Sequence, residues 1–103
     1  LFQSNMYLPI TEMEVEHGYM DIYLQRTSRF PNIPNEWVWE VKYVKKGDAE
    51  HKKSDVLQAK REEARTQLQK YRASHLFAGR SDVRFLSVIF IGKDRYEMEE
   101  ISD

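Results

Sequence analysis

Two carboxylates and a lysine are the residues of this sequence best suited to catalysis. Asp21 lies in a stretch typical of a β-strand, and Glu40-Val41-Lys42 lies in another. Two carboxylates can share a divalent cation such as Mg²⁺, which prefers oxygen ligands and keeps several of its waters. Such a cation stabilises charge on phosphoryl oxygens and activates a bound water, which a nearby lysine can orient. These residue types therefore suit metal-assisted cleavage of a phosphodiester.

The strands determine whether these side chains can meet. Successive side chains of a strand point to opposite faces of its sheet, so Glu40 and Lys42 share a face, about 7 Å apart along it. Asp21 meets Glu40 if the two strands pair in the right register. An E-x-K triplet alone is weak evidence, because solvated Glu–Lys faces are common. Unpaired carboxylates within apolar strands are costly, however, and this favours a functional site.

The sequence predicts a mixed α/β sheet with the element order β-β-β-α-β-β. A change from alternating to helical spacing of apolar residues marks the helix, and its place between the third and fourth strands favours their parallel pairing. The apolar run at 83–91 predicts a strand covered on both faces, and acids in the last strand predict an edge. The predicted strands are 7–15, 19–25, 36–44, 83–91 and 96–101, with the helix at 55–74.

Charge is unevenly distributed, although the formal net charge is only −1. Residues 1–25 contain four acids and neither Lys nor Arg, whereas 42–72 contain ten bases against five acids. A basic segment beside acidic residues suits a polyanion next to a metal site. A charged helix with ion pairs one turn apart explains the same pattern. The candidates for phosphate contacts lie in a predicted loop at 45–54 and are Lys45, Lys46, Lys52 and Lys53.

Composition narrows the class of protein. The chain has no cysteine, which excludes disulfides and thiolate metal sites and agrees with a cytoplasmic location. No apolar run approaches the roughly 20 residues of a membrane span. Residues 1–5 look like the remnant of an engineered protease site. We therefore expect one domain at 6–103, cut from the C-terminal part of a longer protein.

The order of these motifs resembles the PD-(D/E)XK nuclease superfamily and its restriction-endonuclease-like fold. The likeness is greatest to the C-terminal domain of bacterial AAA-ATPase-like proteins. It covers nearly everything after residue 5. The segments that carry it are Tyr7-Leu-Pro-Ile-Thr-Glu12, Gly18-Tyr-Met-Asp-Ile-Tyr-Leu24, Trp39-Glu-Val-Lys-Tyr-Val44 and Ala64-Arg-Thr-Gln-Leu-Gln-Lys-Tyr71, with the apolar strand 83–91 after them.

The resemblance implies a role for each matched residue. Asp21 and Glu40 match the acids of the motif and Lys42 matches its lysine. The metal ligands it implies, for Mg²⁺ or Mn²⁺, are Asp21, Glu40 and Val41. The residues that it implies support the site are a Q-x-x-x-Y pair on the helix and a glutamate of the first strand, which here are Gln67, Tyr71 and Glu12.

The sequence departs from the superfamily pattern at two places. Met20 stands where the motif has proline. The fold usually opens with a helix that carries another acid, whereas this chain begins at the first strand. We expect that helix upstream in the longer protein. Its absence would expose apolar sheet surface and favour a homodimer.

Three functions remain open from the sequence. The first is a Mg²⁺-dependent nuclease that cuts DNA, or RNA, with Lys42 assisting the water and Gln67 positioning Lys42 or the substrate. The second is a catalytically inactive binding or assembly module that serves an AAA-ATPase-like partner domain. The third is nucleic-acid binding through residues 42–72 without cleavage.

Overall fold

The computed structural model describes residues 7–15, 18–27, 32–47 and 56–101. Within them, five strands form one sheet in chain order. Each predicted boundary lies within one residue of the observed one, and the mixed α/β fold and its element order are confirmed. The strands are β1 (Tyr7–Val15), β2 (Gly18–Arg26), β3 (Glu36–Val44), β4 (Val83–Ile91) and β5 (Arg95–Ile101), and the helix α1 (Val56–Ala73) lies between β3 and β4.

Strand directions follow from the connections. β3 and β4, joined through α1, are parallel as predicted, and the other neighbours are antiparallel. Gly92 opens the β4–β5 turn with a φ of 65°, and its amide donates to the carbonyl of Val44 at 2.9 Å. A Cβ at Gly92 would lie 3.1 Å from the Cβ of Lys46, so glycine lets the turn lie against the end of β3.

Helix α1 covers the face of the sheet that carries Tyr23, Val38 and Phe85, here named the helix-covered face. Its buried side chains recur at the predicted three- and four-residue spacing and are Ala64, Leu68 and Tyr71. Leu68 and Tyr71 pack into one cluster with these strand residues. Burial of apolar surface, worth roughly 25 cal/mol per Å², thus holds the helix on the sheet.

Strand β4 is covered along its whole length on one face, whereas its other face, predicted to be covered as well, is buried only at Val88. Its alternate residues from Val83 to Ile91 are buried on the helix-covered face, whereas Arg84 and Phe90 on the opposite face are exposed. That opposite face, here named the open face, also carries Trp37, Trp39 and Leu86, which line a hollow of about 170 Å³. The apolar content of 83–91 predicted cover on both faces because it shows how hydrophobic a strand is. It does not show which element of the fold covers each face.

Arginines of α1 pair with acids of the edge strand β5. Arg61 contacts Glu97 through two nitrogen–oxygen pairs of 2.9 Å, and Arg65 contacts Glu99 through pairs of 2.7 and 2.9 Å. Exposed pairs of this kind contribute little stability. Their consequence is electrostatic, because they neutralise part of the positive charge of residues 42–72.

Candidate active site

Asp21, Glu40 and Lys42 lie together on the helix-covered face. The β2–β3 ladder reaches the pair Ile22–Trp39, and Asp21 and Glu40 occupy the next position in the same register. Lys42 Nζ lies 3.3 Å from Glu40 Oε2. The ladder that ends at Ile22–Trp39 is thus in the register that brings Asp21 towards Glu40.

The carboxylate of Asp21 bridges β2 and β3 where their backbones part. Among the described residues, the pairing of β2 with β3 stops at Ile22, whereas its pairing with β1 continues to Gly18. Beyond that point Asp21 Oδ2 accepts a hydrogen bond of 2.8 Å from the amide of Val41. The side chain thus takes over the role of a backbone acceptor and is held half-buried between the strands.

Glu40 is a buried acid whose charged form is poorly supported. Its residue is 4% exposed. Burial, followed by the negative charge of Asp21, raises the pKa of Glu40, although Lys42 and Tyr71 act to lower it. The ionised carboxylate therefore calls for more positive charge than Lys42 supplies.

Gln67 reaches the site through Tyr71. Gln67 Nε2 donates to the Tyr71 hydroxyl at 3.3 Å, and that hydroxyl donates to Glu40 Oε1 at 3.4 Å. Burial, followed by the charges of Glu40 and Asp21, raises the pKa of Tyr71, so the phenol stays a neutral donor. The sequence predicts that Gln67 positions Lys42 or the substrate. Its hydrogen bond links it to Glu40 through Tyr71, and because it also lines the cleft with Lys42, the predicted role stays a prediction.

A cleft of about 560 Å³ between β3 and α1 opens beside these residues. Lys42 and Gln67 line it together with Glu63, whose Oε2 lies 3.9 Å from Lys42 Nζ. Sequence reasoning missed Glu63. The available signal was its position one turn before Gln67 and two turns before Tyr71, which puts all three on one helix face.

Comparison with known families agrees with this geometry. A model of the PD-(D/E)XK nuclease superfamily matches residues 1–100. The chain belongs to this superfamily. The resemblance inferred from the sequence is thereby confirmed, and the mixed sheet with α1 on one face is consistent with its restriction-endonuclease-like fold. Neither a curated protein nor a solved structure matches the chain.

Glu12 joins the row of acidic positions in this PD-(D/E)XK domain. The register of β1 on β2 places the backbone of Glu12 opposite Asp21, and Asp21 and Glu40 each follow directly after the last pair of the β2–β3 ladder, Ile22–Trp39. Three neighbouring strands therefore carry an acid at the same level of the sheet. Spacing along the chain does not show this, because it depends on two registers at once.

The predicted phosphate-binding lysines lie apart from this row. Lys45 and Lys46 follow the end of β3 and are exposed, and the backbone at Lys46–Gly47 is helical, contrary to the loop predicted at 45–54. Lys52 and Lys53 lie outside the described residues. No described helix has the length and apolar content to cross a membrane. The cytoplasmic location, the tag remnant at 1–5 and the AAA-ATPase-like context stay predictions.

The donor set of the PD-(D/E)XK domain fits a hard divalent cation. Nucleases of this superfamily generally use divalent metals. Asp21 and Glu40 offer two neighbouring carboxylates, and the pKa of Glu40, raised first by burial and then by the charge of Asp21, is one that a bound cation would lower. In the described ranges, no three His, Cys, Asp or Glu side chains converge on one point. Waters and a substrate phosphate would therefore complete the coordination, as they usually do for Mg²⁺.

Replacing Glu40 with glutamine is expected to stabilise the metal-free domain at neutral pH. Because the folded-state pKa of Glu40 lies above its unfolded value, the wild-type domain loses stability as the pH rises through the folded pKa, and the neutral amide avoids that loss. We expect a gain of about 1 kcal/mol at about pH 7 and none at about pH 3.

Thermal unfolding in EDTA measures this difference, with Glu100→Gln on exposed β5 as the matched control. Added Mg²⁺ should raise the Tm of the wild type and leave the Tm of Glu40→Gln unchanged. A Glu40→Gln variant less stable than wild type at neutral pH would contradict the electrostatic account.

Proposed function

We propose that this domain is a divalent-metal-dependent nuclease that hydrolyses phosphodiester bonds, with DNA as its first candidate substrate and RNA as the second. The observation that carries the proposal is the convergence of Asp21, Glu40 and Lys42 on one face, beside a cleft, in a chain of the PD-(D/E)XK superfamily. Mg²⁺ or Mn²⁺ is the proposed cofactor.

Each side chain has a task that follows from its position. Asp21, Glu40 and the carbonyl of Val41 would hold the cation, which when bound supplies charge stabilisation at the phosphoryl oxygens and lowers the pKa of a water. Lys42 borders the cleft and lies 3.3 Å from Glu40 Oε2. Its ammonium can donate a hydrogen bond to the attacking water and offset the charge that develops on the phosphate.

Tyr71 and Gln67 act as positioning residues for Glu40. The Tyr71 hydroxyl fixes one oxygen of the carboxylate, and Gln67 fixes the hydroxyl. Both lie on α1, which Leu68 anchors in the core. The direction of the Glu40 carboxylate therefore depends on how the helix packs against the sheet.

The non-cleaving alternatives have less support. Binding through residues 42–72 is weakened as an explanation because Arg61 and Arg65 are engaged by Glu97 and Glu99. An inactive module would keep the fold without needing a buried glutamate whose ionised form is disfavoured. An AAA-ATPase-like partner domain and a homodimer remain proposals drawn from the sequence alone.

A cleavage assay on the full chain tests the proposal. Supercoiled DNA, single-stranded DNA and RNA are incubated with Mg²⁺, Mn²⁺ or EDTA, and we expect products with either metal and none in EDTA. Asp21→Asn should lower the rate about 10²-fold or more, since it removes a charge needed at the metal, while Glu100→Gln leaves it unchanged. Absence of cleavage with both metals on every substrate would favour the inactive module.

A further inference from the structure

Three exposed aromatic side chains form a row across the open face. Tyr43 of β3 is the register partner of Phe90 of β4, which is the partner of Tyr96 of β5. The three residues are 74%, 38% and 64% exposed, respectively. The rings of Tyr43 and Phe90 stack with centroids 5.4 Å apart, and those of Phe90 and Tyr96 are 6.4 Å apart. A contiguous apolar surface of this kind marks a binding site more often than a chance exposure.

Lysines border the side of this row that faces the end of the sheet. Lys45 and Lys46 follow Tyr43 at the end of β3, and Lys93 lies in the turn between Phe90 and Tyr96. With Gly92 and Asp94, the three lysines line a concavity of about 500 Å³. Within the described part of the chain, none of the three ammonium groups forms an ion pair. Their charge is therefore available to an anionic partner.

We propose that these six residues form a binding surface for single-stranded nucleic acid, here named the aromatic–lysine surface: Tyr43, Phe90 and Tyr96 with Lys45, Lys46 and Lys93. Exposed rings can stack on any base, because every base has a π-face. Ammonium groups beside the rings suit the phosphates that join those bases. A duplex keeps its bases stacked inside and cannot present them to a flat sheet. The surface therefore selects a single strand over a duplex.

The aromatic–lysine surface lies at the same end of β3 as the candidate active site. Lys42 and Tyr43 are consecutive residues of β3 and point to opposite faces. Lys45 directly follows Val44, the last residue of β3, and is exposed. A single strand held on the rings can thus pass the lysines and reach the cleft. This step rests on the proposed nuclease function, whereas binding itself does not.

A second copy of the chain is the main competing occupant. It could cover the rings, but a two-fold contact pairs the surface with itself, and its concavity carries three lysines against Asp94 alone, so the two copies present the same net charge. Like charges at an interface disfavour association. Charge complementarity therefore favours the polyanion.

Fluorescence anisotropy with a labelled oligothymidylate in EDTA tests the proposal without cleavage. The wild type should bind this single strand more tightly than a duplex of equal length. Tyr43→Ala and Tyr96→Ala should each weaken binding about tenfold, whereas Tyr43→Phe, which keeps the ring, stays within about twofold of wild type. An abasic oligomer should bind equally to wild type and Tyr43→Ala.

The salt dependence of the affinity for the oligothymidylate measures the contribution of the lysines separately from that of the rings. Lys93→Ala should lower the slope of log affinity against log salt by about 0.7, the value for one phosphate contact of a single strand. The matched controls are Leu8→Ala, an exposed apolar residue of β1, and Lys70→Ala in the last turn of α1. Neither should change affinity for the oligothymidylate.

Equal affinity for single strand and duplex, or indifference to both tyrosine variants, would overturn the proposal. So would a wild-type dimer in sedimentation that Tyr43→Ala and Tyr96→Ala convert to a monomer without any oligonucleotide binding, since the row would then belong to a second copy. Loss of ring-dependent binding in EDTA with cleavage retained would overturn the surface and leave the nuclease proposal in place. Ring-dependent binding in EDTA without cleavage by either metal would support the surface and contradict the nuclease proposal.

Discussion

Replacement of Lys42 by methionine is expected to lower the metal-dependent cleavage rate about 10²- to 10³-fold, the cost of removing one preorganised group that stabilises transition-state charge. Methionine keeps the length and apolar stem of lysine and removes the ammonium. That ammonium lies 3.3 Å from Glu40 Oε2 and borders the cleft where a phosphate would bind. Single-turnover cleavage of a labelled DNA with Mg²⁺ measures the effect.

In Lys42→Met the cleavage rate should fall while the affinity for Mg²⁺ does not. Lys42 competes with a divalent cation for the carboxylate of Glu40, so Lys42→Met should bind Mg²⁺ at least as well as wild type in calorimetry. Lys60→Met is the matched control, because Lys60 pairs with Glu63 at 3.3 Å without contacting Glu40. Its cleavage rate should stay within about twofold of wild type. A cleavage rate of Lys42→Met equal to that of wild type would show that Lys42 has no role in the mechanism.

Much of the site could be predicted from the sequence because it depends on alternation along strands. The shared face of Glu40 and Lys42 follows from their two-residue separation, and the helical spacing of Gln67 and Tyr71 follows from one turn of helix. These are short-range rules, and the boundaries of the elements follow them as well. The approach of Asp21 to Glu40 depends in addition on the register of β2 and β3, which the sequence left open.

The rest of the site depends on contacts between distant residues. Where β2 and β3 part, Asp21 accepts a hydrogen bond from the amide of Val41, a contact that no local pattern encodes. The aromatic row requires the β3–β4 and β4–β5 registers together. The pairing of Arg61 with Glu97 joins residues of α1 and β5. Charge counts along the chain treated these two residues as parts of separate segments.

Glu36 is a second buried glutamate of β3, and hydrogen-bond donors surround its carboxylate. It is buried on the helix-covered face, at the opposite end of the strand from Lys42. Its carboxylate accepts hydrogen bonds from the Tyr23 hydroxyl, from the amide of Arg26 at 2.8 Å and from Arg80 Nη2 at 2.7 Å. Burial acts to raise the pKa of Glu36, but these three donors together lower it.

Replacing Glu36 with alanine is therefore expected to destabilise the domain by about 3 kcal/mol, since the donors of Tyr23, Arg26 and Arg80 lose a buried partner. For a domain of this size the loss lowers the Tm by more than about 10 °C. A folded-state pKa below the unfolded value contributes stability above the unfolded pKa, and that contribution disappears as the pH falls through the folded pKa. Urea unfolding across this acidic range measures both effects.

The two glutamates of β3 should respond in opposite directions to the same change. In metal-free protein at neutral pH, Glu36→Gln is expected to lower stability and Glu40→Gln to raise it. Donors surround the first carboxylate, whereas burial and then the charge of Asp21 disfavour the ionised form of the second. Both substitutions remove one charge and keep the side-chain shape, so differences in packing cancel between them. Loss of stability in both variants would mean that Glu40 is a structural ion-pair residue. Opposite signs would mean that the fold gives up stability at Glu40, as expected where a carboxylate is held ready for a cation.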